Sequence, residues 1–189
     1  MINNLEKIKQ LLTFETSDDF YLIEILQRKK ENPNINKNAR LIKHYYINSI
    51  EHLESNIDEI INLCKFFNAR AGIRLNKRSY RKCAFENLRK LSEIIYNGDF
   101  SHAKNQFNKS AGSTISDSAN KTWIVDIDNE DLINLSSIKE DILNISKDVI
   151  IAELPSKSGL HLITKPFDRS KFKHTIEIHK DNPINLYII

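Results

Sequence analysis

The segment Trp123-Ile124-Val125-Asp126-Ile127-Asp128 constrains this chain more than any other, because it sets two acids inside an apolar run. In a strand, side chains alternate between faces and each residue advances about 3.3 Å, so Asp126 and Asp128 leave one face about 7 Å apart. The flanking Trp123, Ile124, Val125 and Ile127 predict a mostly buried strand, where two solvated carboxylates are hard to maintain. Such carboxylates need partners, and a divalent cation held by oxygen donors suits two aligned acids. The expectation is a metal site at Asp126 and Asp128. The alternative is that Asp128 and Asn129 open the following helix or turn while Asp126 pairs with a basic side chain.

At 189 residues and 40% hydrophobic content, the chain has material for one core, in one domain or in one domain of two lobes. Cys64 and Cys83 are its two cysteines, each within a helical apolar pattern, which excludes a disulfide framework and a cysteine-based zinc module. No stretch approaches the ~20 apolar residues of a membrane span, and residues 1–7 lack the basic-then-apolar pattern of a secretory leader. The expected setting is cytoplasmic, away from membranes. The net charge of +3 is too small to imply nucleic acid by itself, so the placement of charge matters more than its sum.

Along the chain, apolar spacing predicts helices over residues 4–12 and 18–30, the second capped by Ser17 or Asp18 and stopped before Asn32-Pro33. Together they are expected to form a helical arm or lid. Residues 39–47, rich in Tyr, Ile and Leu, predict a strand, and the helix after it carries Ile57, Ile60, Ile61, Cys64 and Phe67 at helical spacing. A short strand over 69–75 puts Arg70, Gly72 and Arg74 on one face. The next helix aligns Tyr80, Ala84, Leu88, Leu91 and Ile95 and stops near Asn97-Gly98. A shorter helix over 101–108 leads into the small, polar stretch 109–120, which marks a loop between lobes. The expected division is 1–121, a helical arm plus a basic α/β module, and 122–189. In the second part the acidic strand precedes a helix with Ile138, Ile142 and Ile145, opened by the capping box Ser137-x-x-Glu140. Strands are expected over 149–154, 160–165, 175–179 and 184–189, and the short link from Pro155 to Gly159 favours an antiparallel hairpin.

Two further clusters carry chemistry. Lys65, Arg70, Arg74, Lys77, Arg78, Arg81, Lys82, Arg89 and Lys90 fall in one strand–helix unit with Glu86 as the opposing charge. Isolated lysines there would be a solvated helix face, but arginine at this density matches bidentate phosphate recognition, which makes Arg70, Arg74, Arg78 and Arg81 candidate nucleic-acid contacts. Such contacts position a strand without identifying its sequence. In Ser156-Lys157-Ser158-Gly159-Leu160-His161, Gly159 permits a close backbone turn, while the hydroxyls of Ser156 and Ser158 and the Lys157 ammonium suit phosphate oxygens. His161 opens an apolar strand, where it is placed to stabilise a triphosphate.

The run Val125 to Asp128, followed by Ser158-Gly159-Leu160-His161-Leu162-Ile163, resembles the archaeo-eukaryotic primase superfamily, which includes primase-polymerases and the polymerase domains of bacterial repair ligases. The resemblance covers mainly the C-terminal third. It implies an α/β (α+β) fold with an RRM-like palm, its mainly antiparallel sheet backed by helices. Asp126 and Asp128 would hold two Mg²⁺ or Mn²⁺ ions, and His161 would contact the incoming nucleotide's phosphates, so that these three are the expected catalytic residues. The family adds a third acid on a later strand. Glu177 and Asp181 are the candidates, and Asp181, in a turn able to approach a metal at the mouth, is preferred. The implied activity is nucleotidyl transfer of primase-polymerase type. Its partners would be nucleoside triphosphates, a nucleic acid (DNA ahead of RNA) and a replication or repair protein. A metal-dependent nuclease or phosphodiesterase would use the same acids with water as nucleophile, and a non-catalytic nucleic-acid-binding protein is the third reading.

Overall fold

The run Phe20-Tyr21-Leu22-Ile23-Glu24-Ile25 is aromatic or aliphatic on both faces, as a central strand requires. It forms the middle of β2 (Asp19–Arg28), so the helix expected over residues 18–30 is a strand. A short apolar run has no period that separates strand from helix, and here pairing on both sides decides it. The computed structural model describes residues 1–115 and 120–189. Its first sheet also contains β1 (Ile2–Asn3), β3 (Ala39–Ile47), β4 (Arg70–Ile73), β5 (Arg78–Ser79) and β10 (Ile184–Ile188). The strand order is β1-β10-β4-β2-β3, with β5 beside the start of β2, and every pairing is antiparallel. The chain's last strand thus joins the first sheet.

Tyr21, Ile23 and Ile25 point to one face of β2 and enter a core with Ile47, Ala71, Ile73 and the α2 (Ile50–Phe67) residues Leu53, Ile60 and Cys64. Ser49 caps α2 by accepting from the His52 N–H, and Asn68 closes it in the left-handed region at φ 45°. In place of a helical arm, α1 (Leu5–Lys9) is one short helix docked on this core, with Ile8 fully buried. The Asn4 side chain before it donates to the carbonyls of Pro155 and Asn185.

Ser79 caps α3 (Tyr80–Tyr96) through the Lys82 N–H. The stripe expected to bury this helix turns largely outward, with Leu88 63% and Ile95 61% exposed, and Cys83 is its buried residue. After a 3-10 turn at Phe100–Asn105, α4 (Gln106–Ser113) occupies the first part of the stretch expected to be a loop; residues 116–119 of that stretch lie outside the described residues.

The second sheet has the order β7-β8-β6-β9, from β6 (Trp123–Asp128), β7 (Ile150–Ser156), β8 (Gly159–Thr164) and β9 (Glu177–His179), again antiparallel throughout. Val125, Ile127 and Leu162 face α5 (Leu135–Ile145), packing on Ile138 and Ile142. Ile124, Leu154 and Ile163 turn the other way, into the core of the first sheet. The expected capping box does not form: α5 starts at Leu135 with Asn134 at its N-cap, which leaves Ser137 inside the first turn. The expected antiparallel hairpin does form, with Ser156 opposite Gly159. Gly159 sits at φ +151°, and a Cβ there would lie 2.0 Å from the Ile127 carbonyl oxygen. Glycine is required at this entrance to β8.

Candidate functional site

Register builds the site. His161 of β8 lies opposite Asp126 of β6, and Glu177 of β9 lies opposite Asp126 on the other side. Directly opposed residues share a face with Cβ atoms about 4.5–5.5 Å apart, so a His–Asp–Glu row crosses three strands. One strand repeat away, His179 lies opposite Ile124; one repeat in the other direction, Asp128 lies opposite Gly159. The Asp126 carboxylate is 3.4 Å from His161 Nε2 and 3.9 Å from His179 Nε2, and His179 Nε2 is 3.2 Å from the Glu177 carboxylate.

Contact with the His161 imidazole holds the Asp126 carboxyl below the usual aspartate range, against the effect of burial, with further help from the positive fields of His179 and Arg28. Asp126 is therefore ionised across the neutral range. The other ring nitrogen of His161, Nδ1, is buried without a hydrogen-bond partner.

This row faces a cleft of about 460 Å³ between the two sheets. The second sheet supplies Asp126, His161, Glu177 and His179, the first supplies Arg28, Arg70 and Gly72, and the Ser156-Lys157-Ser158 turn lies on its wall. At Gly72 a Cβ would meet Pro183 Cβ at 2.9 Å, so glycine lets the link into β10 lie close against β4.

The residues expected from sequence divide into two groups. Asp126, Ser156, Lys157, Ser158 and His161 meet around the cleft, beside Gly159. Asp128 is exposed at the end of β6, where its carboxylate accepts from Ser158 Oγ at 3.3 Å. It also stands at the N-cap position of the 3-10 turn Asn129–Asn134, without forming a side-chain cap.

Asp181, preferred as the third acid, is engaged elsewhere: it accepts from Arg78 Nη2 at 2.5 Å, Arg74 Nη1 at 3.3 Å and Asn76 Nδ2 at 3.0 Å. The acid aligned with Asp126 is Glu177. The basic unit is also largely committed to internal pairs. Arg70 is bound to Glu31, Arg74 to Glu24 and Asp181, and Arg78 is fully buried on Asp181. Among the four arginines, Arg81 remains at the surface, its guanidinium 6.0 Å from the Phe85 ring.

Sequence reasoning passed over His179, Arg28 and Glu31. His179 follows Glu177 at the two-residue spacing that shares a strand face, a signal present in Glu177-Ile178-His179. Glu31 pairs with both Arg70 and Lys157, and so bridges the first sheet to the turn of the second.

Among the described residues, no group of three or more His, Cys, Asp or Glu side chains is set to hold a metal ion, and no helix is long and apolar enough to cross a membrane. No protein-family model, curated protein or solved structure matches this chain.

Proposed function

We propose that the chain is a metal-dependent nucleotidyltransferase of primase-polymerase type, acting on nucleoside triphosphates and a nucleic-acid template. The observation that carries this reading is the row His161–Asp126–Glu177 facing a cleft walled by Ser156, Lys157 and Ser158. The second sheet supports a palm of RRM-like form. Its β6-α5-β7 unit has β8 inserted between the two strands, a split β-α-β arrangement.

The carboxylates suit a hard divalent cation in kind. Asp126 has histidines as its ion-pair contacts, Asp128 receives one hydroxyl, and the Glu177 side chain is 80% exposed, so oxygen lone pairs stay open on all three. Asp126 and Asp128 would hold Mg²⁺ or Mn²⁺, and Glu177, not Asp181, is the further acid that register sets opposite Asp126. When bound, such a cation supplies Lewis-acid stabilisation of phosphoryl oxygens. The protein's own part is orientation. His161 and Lys157 would present donors to the triphosphate, Ser156 and Ser158 would add hydroxyls, and Arg28 would add positive charge from the opposite wall.

The test is incubation of the protein with labelled nucleoside triphosphates, Mn²⁺ or Mg²⁺, and primed and unprimed templates. Extension by the parent is expected. Asp126→Asn and Asp128→Asn should each lower it by at least about 10²-fold with circular dichroism unchanged, since amides keep the shape and lose the charge. His161→Ala should weaken triphosphate binding in calorimetry while Mn²⁺ binding partly survives. Parent-like extension by both Asp variants, or no incorporation by folded parent protein, overturns the proposal. Degradation of the template in place of extension would assign the acids to a phosphodiesterase.

A further inference from the structure

Among the described residues, unpaired positive charge gathers beside the cleft, on the hairpin that joins β2 to β3. Residues 28–43 hold six cations, Arg28, Lys29, Lys30, Lys37, Arg40 and Lys43, against the single acid Glu31. This segment carries a net +5 in a chain whose total is +3, so the rest of the chain is net negative. Lys43 is paired with Glu59, and Glu31 is occupied by Arg70 and Lys157. Among the described residues, Arg28, Lys29, Lys30, Lys37 and Arg40 form no ion pair, and all five are exposed.

The hairpin tip is braced. Lys29 N–H donates to the Asn38 carbonyl, and Asn32 Nδ2 donates to the carbonyls of Arg28 and Asn68. Gln27 Nε2 donates to Asn32 Oδ1, and Asn68 Nδ2 to the Glu31 carbonyl. The cations are thus displayed on an ordered scaffold. A second hollow of about 550 Å³ lies along the tip from Asn34 to Leu41, and Ala39 borders both this hollow and the cleft. Its size suits a ligand of nucleotide dimensions, not a duplex.

We infer that the β2–β3 hairpin is an arm that binds a single-stranded nucleic acid by its phosphates and leads it past Ala39 into the cleft. The choice of nucleic acid over another polyanion rests on the proposed function. A row of unpaired cations beside a groove is the electrostatic half of single-strand binding. The asparagines Asn34, Asn36 and Asn38 add amide donors and acceptors for phosphate and sugar. Residues 28–43 contain no aromatic ring, so base stacking contributes little and the arm binds with weak sequence preference and strong salt dependence.

The experiment is fluorescence anisotropy of a labelled oligodeoxythymidine with the full chain at several salt concentrations. The parent is compared with a Lys29→Gln/Lys30→Gln/Lys37→Gln/Arg40→Gln variant. Arg28 is left intact because it lines the cleft, and Arg169→Gln, at the exposed 3-10 turn Arg169–Lys171, is the control. The hairpin variant should bind at least about tenfold more weakly, its log–log salt slope smaller by about 3, as expected for four lost phosphate contacts on a single strand. The control should stay near the parent, and calorimetric binding of Mn²⁺ and triphosphate should be equal in all three proteins. Parent-like affinity and slope in the hairpin variant overturn the inference. No binding of the oligonucleotide by the parent also overturns it, as does binding of phosphatidylserine vesicles in its place or tighter binding of a duplex. Hairpin-dependent binding by a parent that extends no primer keeps the arm and removes the transferase reading. Extension with hairpin-independent binding does the reverse.

Discussion

Two stretches of this chain are rich in lysine and arginine, residues 65–90 and residues 28–43, and folding treats them in opposite ways. In the first, Arg70, Arg74, Lys77, Arg78, Arg89 and Lys90 are all paired with carboxylates, and those of Arg70, Arg74, Lys77 and Arg78 come from elsewhere in the chain: Glu31, Glu24, Glu15, Asp19 and Asp181. In the second, five of six cations face water without an ion pair among the described residues. A sequence window counts charges but not partners. Cationic density became structural glue where strands brought acids to it, and remained exposed, unpaired charge on the hairpin, where no acid was brought beside it. Buried ionic groups of the first kind must stay paired, because a lone charge left inside costs several kcal/mol.

The strongest way to break the comparison is Arg78→Met. Arg78 is fully buried on Asp181, so its loss leaves that carboxylate short of a partner and should destabilise the fold by about 3 kcal/mol in urea unfolding. Lys30→Gln on the hairpin should stay within about 0.5 kcal/mol of the parent. Equal effects at the two positions would erase the distinction.

A smaller effect should appear with pH. Burial alone would raise the Glu24 and Glu31 carboxyls, but hydrogen bonds from His44 and Arg74 to Glu24, and from Arg70 and Lys157 to Glu31, outweigh it and hold both below the ordinary value of 4.5. A carboxyl depressed in the folded state contributes its stability above the unfolded value and loses it as pH falls through the folded one. Unfolding free energy should therefore decline below about pH 4.5, and Glu24→Gln should flatten that decline. An unchanged slope in the variant would show that the pair does not couple to folding.

The smallest effect concerns the point where the two basic regions meet. Glu31 occupies both Arg70 and Lys157, so Glu31→Gln should free two cations at the cleft and tighten triphosphate binding about two- to fivefold, read by calorimetry. Weaker binding would mean that Glu31 positions those cations instead of competing for them.

The sequence by itself determined β6, the β7–β8 hairpin, α2 and α5. Each of these elements follows from local stereochemistry: alternation puts Asp126 and Asp128 on one face, Gly159 admits a positive φ at the turn, and Ile138 and Ile142 recur at helical spacing. Tertiary structure alone decided that residues 19–28 are a strand, since an apolar run suits either element until neighbours pair with it. It also decided that Glu177 rather than Asp181 aligns with Asp126, because register between β6 and β9 joins residues some fifty positions apart. The fate of each arginine was likewise beyond local reading: Arg78 and Asp181 are 103 positions apart in sequence and in contact only once both sheets have formed. Alternation and turn chemistry act within a few residues and are written in the chain, whereas a charge's partner is fixed by which distant strand folding sets beside it.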